Sequence, residues 1–116
     1  MELTEFYEKA GGDYNEVIAR LQSESMIKRF LIKFEKDPAY GDLQAAKKAG
    51  DISAAFRAVH TLKGVAATLG LGNLFKVSSA LTEELRPLKA FPAEEYFTAV
   101  DKEYASVISL LSALDA

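Results

Sequence analysis

Apolar residues recur at intervals of three and four along almost the whole chain, and glycine, proline and aspartate separate the runs. That period is the mark of helices burying one face, and nothing alternates with period two over strand length apart from short ambiguous runs. Residues 2–10 predict a short helix ended by Gly11-Gly12, and Asp13 predicts the cap of a second one carrying Tyr14, Val17, Ile18 and Leu21. Ser23 opens a third, with Met26, Ile27, Phe30, Leu31 and Phe34 on its apolar side. Asp37-Pro38 breaks or kinks it, because proline lacks an amide hydrogen and restricts the residue before it. A fourth piece from Ala39 to Ala49 packs through Leu43 and Ala46.

The most informative run is residues 51–69, capped by Asp51 and closed by Gly70. Ile52, Ala55, Phe56, Val59, Leu62, Ala66 and Leu69 trace its buried stripe. Gly70-Leu71-Gly72-Asn73 makes so tight a connection that the next helix must run back antiparallel. That helix shows Leu74, Val77, Leu81 and Leu85 as its core edge and stops at Arg86-Pro87. The last helix is expected to begin at Phe91-Pro92, with proline in its first turn, and to pack through Phe97, Val100, Tyr104, Val107, Leu111 and Leu114. The expected fold is all-α: an up-and-down antiparallel four-helix bundle over 23–116, with short N-terminal helices in 1–22 packed at one end. Its 116 residues make one domain, long enough to bury a core.

Composition changes this picture mainly by exclusion. A net charge of −3 with no Lys/Arg cluster leaves no basic footprint for nucleic acid. There is no cysteine, hence no disulfide framework and no thiolate chemistry, which is compatible with a reducing compartment. The N-terminus is too polar for a signal peptide, and no run approaches the roughly eighteen apolar residues a membrane span needs, so the cytoplasm is the expected location. One histidine without a Glu-x-x-His pair offers no convincing ligand set for zinc or di-iron. No glycine-rich phosphate loop is present, so the chain is not expected to bind ATP.

The single histidine, His60, lies in the 51–69 helix. At about 100° per residue it points about 135° from the centre of the apolar stripe, toward solvent. Lys63, Gly64 and Ala67 follow on the same outer face. Glycine in a helix interior costs about 1 kcal/mol relative to alanine, so close approach of another body explains Gly64 better than local stability does. A histidine or lysine on a helix is ordinarily just a surface or core residue. The combination of outward direction, Lys at i+3 and Gly at i+4 is what singles these out. Counting back through the turn at 70–73 puts Thr82 level with His60, with Ser79, Thr82, Arg86 and Phe75 on one flank away from the leucine edge. Arg86 is either a phosphate ligand or a cation complementing the end of its helix.

His60-Thr-Leu-Lys63-Gly64-Val-Ala-Ala-Thr-Leu-Gly70-Leu resembles the signature of histidine-containing phosphotransfer domains, the carriers of multistep phosphorelays. The likeness extends upstream through Leu43-Gln-Ala-Ala and Gly50-Asp51 and downstream through Leu74 and Leu81 to Arg86. Many members carry Gln or Glu twenty-two residues after the histidine; here that residue is Thr82. The resemblance implies a phosphorelay intermediate that accepts a phosphoryl group on His60 from an aspartyl phosphate of a receiver domain and passes it to another. On that mechanism Lys63 neutralises charge and Gly64 gives clearance, while the outer face of the 51–69 helix and the flank of the next one offer Ala67, Ser79, Thr82 and Arg86 as further contacts. No cofactor is expected on this chain and no kinase activity of its own. Mg²⁺ would come from the receiver, and the implied partners are receivers and a hybrid histidine kinase, met by a monomer. Two alternatives stay open: the phosphoacceptor domain of a larger chemotaxis-type kinase, and a non-catalytic helical adaptor. An initiator methionine and an end at the bundle favour a free-standing protein.

Overall fold

The computed structural model describes residues 1–114 as seven helices with no strand among them. They are α1 (Leu3–Ala10), α2 (Tyr14–Leu21), α3 (Glu24–Glu35), α4 (Ala39–Ala49), α5 (Ile52–Leu69), α6 (Gly72–Leu85) and α7 (Glu94–Ser112). Their limits are written locally. The Asp13 carboxylate accepts from the Asn15 and Glu16 amides, Ser23 from Met26, and Asp51 from Ala54. Each satisfies amides that the first turn leaves without an intrahelical partner. Gly50 and Gly70 end α4 and α5 in the left-handed conformation.

The bundle has four antiparallel walls. α5, α6 and α7 make three, with the tightest packing between α5 and α6. The fourth is α3 followed by α4, which together run the length of α5. Residues of α4 border Asp51–Thr61, and Phe30, Lys33 and Phe34 of α3 border Thr61–Leu69. The bend between them falls at Asp37-Pro38, where the Asp37 carboxylate caps the Ala39 amide. α4 is tied to α7 in antiparallel register. Tyr40 stacks on Tyr104 at 3.8 Å, Tyr40 and Gln44 both donate to Asp101, and Lys47 pairs with Glu94. The core between the walls is aliphatic and aromatic, including Ile27, Leu31, Leu43, Leu62, Leu74, Leu81 and Phe97.

α1 and α2 cover the end where α5 turns into α6. The buried Tyr7 hydroxyl donates to the Leu69 carbonyl at 2.7 Å, and burial pushes its pKa up, so it stays a donor. Arg20 of α2 donates to the Thr68 carbonyl, in the last turn of α5, and adds a second donor to the Ala67 carbonyl, which already accepts from the Gly70 amide. None of the helices is long and apolar enough to cross a membrane, among the described residues.

Two boundaries differ from expectation. α6 already begins at Gly72, so the link from α5 is only Gly70-Leu71. α7 begins at Glu94 rather than at Phe91-Pro92, because Ala93 is extended (φ −53°, ψ 144°). The Phe91 ring instead packs edge-on against Phe97 at 5.9 Å, which anchors the incoming segment one turn ahead of the helix.

Candidate functional site

The site is built on the middle of α5. Its buried face is Ala55, Ala58, Val59, Leu62, Ala66 and Leu69, and this face orients everything else on the helix. His60 is exposed, as the stripe predicts, with Lys63 half-buried one turn on and Gly64 and Ala67 exposed beyond it. A Cβ added at Gly64 would meet nothing within 4 Å, so no neighbouring helix requires glycine there. A shallow groove lined by Phe30, Lys33, Thr61, Gly64 and Thr68 runs along this side, between α3 and α5. The nearby hydroxyls are tied to the helix: Thr61 donates to the Arg57 carbonyl, Thr68 to the Gly64 carbonyl, and Ser53 accepts from Arg57. Among the described residues no such hydrogen bond ties the His60 imidazole.

Phe56, expected in the core stripe, is only half-buried. It lies four residues before His60, and the two rings stand 5.9 Å apart at 39°. Across the helix pair, the Arg86 guanidinium sits 5.4 Å from the centre of the Phe56 ring. Arg86 is at the same time held in a two-pronged contact by Glu83, at 3.0 and 2.7 Å. These hydrogen bonds hold the Glu83 carboxyl below its ordinary pKa against slight desolvation, and the proximity of Arg86, Lys63 and His60 pushes the same way. So Arg86 and Glu83 reach the site together, from α6.

The α6 candidates divide. Arg86 is where the expected flank places it. Thr82 is not: it is fully buried, and its hydroxyl donates to the Ser78 carbonyl at 2.7 Å. Ser79 is half-buried, and its hydroxyl oxygen is shielded from solvent and without a hydrogen-bond partner. The reason is rotation. The buried residues of α6 are Leu74, Ser78, Leu81, Thr82 and Leu85, while Val77 is only half-buried. At about 100° per residue, that arc is centred about 35° from the Leu74-Val77-Leu81-Leu85 edge. Small Ser78 and Thr82 face inward, and the polar neighbour presented to His60 becomes Glu83, one position later. Sequence reasoning missed Glu83; an acid three residues before Arg86 was the available signal. Ala67 keeps an exposed side chain, but its carbonyl is taken by Arg20, so α2 borders the site on that side.

Among the described residues, no three His, Cys, Asp or Glu side chains gather to hold a metal ion. What α5 and α6 assemble is one accessible imidazole flanked by Lys63, with Arg86 and Glu83 across the helix pair and open space on one side. That arrangement defines a helical-bundle protein with a solvent-facing histidine as its candidate nucleophile.

The comparison with protein families agrees. The family model described as Hpt domain matches residues 25–115, and the chain belongs to that family. With it comes the family's business, histidine phosphotransfer in two-component signalling. Hpt domains interact with receiver domains in phosphorelays. Neither a curated protein nor a solved structure matches the chain significantly. The match begins inside α3, so α1 and α2 lie outside it.

Proposed function

We propose that this protein is a phosphorelay intermediate in which His60 takes a phosphoryl group from the aspartyl phosphate of one receiver domain and yields it to another. The observation that carries this reading is His60 itself: exposed at the middle of a bundle helix, with Lys63 beside it and, apart from the helix's own nearby backbone, nothing within 4 Å of where a Cβ on Gly64 would sit. In-line displacement needs a positioned nucleophile and room for the donor to approach, and little else from the carrier. The lone pair of Nε2 forms the N–P bond while the acyl P–O bond breaks and its electrons leave with the receiver's carboxylate. Lys63 faces the transferring group and offsets its charge. Gly64 gives clearance to the rim of the receiver's active site, and Ala67 extends that small-residue surface. Mg²⁺ is supplied by the receiver, which also carries most of the charge stabilisation. On this reading the chain holds no cofactor, acts as a monomeric carrier in the cytoplasm, and has no kinase activity of its own. A hybrid histidine kinase is the expected source of the first phosphorylated receiver.

The test is incubation with a panel of phosphorylated receivers, following label. Wild-type protein should acquire an acid-labile, alkali-stable adduct, as a phosphoramidate does. His60→Gln should acquire none, while its melting curve moves by no more than about 0.5 kcal/mol, the usual range for an exposed position. Label persisting in the variant, or an acid-stable adduct on Ser53, Thr61 or Thr68, would reject the assignment.

A further inference from the structure

The Glu83 carboxylate is paired with the Arg86 guanidinium that lies over Phe56, the ring beside His60, which brings an acid into the electrostatic neighbourhood of His60 and Lys63, and a simple carrier site has no evident use for it. A carboxylate beside a phosphoryl acceptor opposes the charge that must arrive. Its geometry is nevertheless deliberate. Both Glu83 oxygens are engaged by Arg86, and Arg86 in turn lies over Phe56, whose ring borders His60. Glu83 is exposed, so nothing in the packing of the bundle calls for it.

We propose that Glu83 sets the equilibrium of phosphotransfer, keeping phospho-His60 high in free energy so that the group is readily passed on. The inference rests on His60 being the acceptor. When the N–P bond forms and the acyl P–O bond breaks, the ring keeps its Nδ1 proton and becomes cationic while the phosphoryl group stays dianionic. The site thus gains one negative charge, and two once that proton leaves to solvent. Glu83 repels this added charge. It also occupies the Arg86 fork, which suits phosphate as well as carboxylate and is not free to neutralise the phosphoryl group. Lys63, with no carboxylate ion pair among the described residues, remains the cation committed to the transfer. The pair therefore works as a counterweight: it lowers affinity for the phosphoryl group without blocking the approach of a receiver.

The experiment is measurement of the equilibrium constant between one phosphorylated receiver and this protein, from both directions, for wild type, Glu83→Gln and Glu84→Gln. Glu83→Gln keeps the shape and removes the charge, and should shift the constant toward phospho-His60 by about fivefold in dilute buffer. The shift should shrink in 0.5 M salt, because exposed charges are screened there. Glu84→Gln removes the same charge one position along the helix and should move the constant by less than about twofold. Circular-dichroism melting that is unchanged in Glu83→Gln separates the electrostatic role from a structural one. A constant within twofold of wild type, a shift toward the receiver, or an equal shift from Glu84→Gln would overturn the inference. Wild-type protein that takes up no label would overturn the acceptor reading as well, so the two failures are distinguishable.

Discussion

Gly64 and Gly12 are the same residue serving opposite ends of a packing scale. At Gly64, in the middle of α5, an added methyl group would point into open space. At Gly12, between α1 and α2, it would lie 2.0 Å from the Gly70 carbonyl oxygen, on the turn that ends α5. The second region is crowded throughout. The Tyr7 hydroxyl, the Arg20 guanidinium and the Asn73 amide all bond to backbone carbonyls there, across more than forty residues of sequence. Among the described residues the first region has no such cross-chain bonds from α5 side chains; its hydroxyls turn back on their own helix. The difference separates what holds α5 from what α5 presents. Its C-terminal end is fixed by α1 and α2, and its midpoint is left bare.

Substitutions that reverse these conditions should test the comparison. The largest effect is expected from Gly12→Ala. A carbonyl at 2.0 Å must move, and it belongs to a backbone turn rather than to a flexible side chain. The loss should be about 3 kcal/mol, read as a lower urea midpoint, and a near-normal midpoint would show the turn contact to be slack. Tyr7→Phe removes one hydroxyl from the same end and leaves the Leu69 carbonyl without that donor. About 1–2 kcal/mol of stability should go, with the transfer rate unchanged at temperatures where the protein is folded. A slowed rate would mean that the two regions are coupled.

Lys63→Ala should do the reverse, slowing single-turnover transfer about tenfold, or about 1.4 kcal/mol, with little change in melting or receiver binding. Unchanged rates would reduce Lys63 to a solvated charge. The smallest energetic effect is expected at Gly64. Alanine there should stabilise the helix by up to about 1 kcal/mol, because open space removes any packing penalty and only propensity remains. Gly64→Gln should melt no earlier than wild type and yet slow transfer, since its longer side chain occupies the approach. Early melting would place a hidden contact at Gly64, and normal transfer would remove the clearance argument.

Much of this was legible in the sequence because helix limits are local events. Asp13, Ser23 and Asp51 cap helices through amides two or three residues away, and Gly50 and Gly70 end them through their own backbone. Likewise His60, Lys63 and Gly64 belong to one helix, so their spacing alone puts them on one exposed arc. The start of α7 was less legible, because Phe91 is placed by Phe97 and Ala93 takes the cap, which leaves Pro92 ahead of the helix rather than in its first turn.

What only the tertiary structure decided lies between helices. Leucine and valine positions marked the core edge of α6, but small Ser78 and Thr82 also turn inward. That rotation withdraws Thr82 from the site and presents Glu83 with Arg86 instead. Nor did any spacing announce that Arg20, in a helix outside the family match, would close the end of α5. Along one helix, geometry is set by 3.6 residues per turn and is readable from the order of residues. Between helices it depends on how side chains of different size interlock over the whole contact, and that is settled only when the bundle packs.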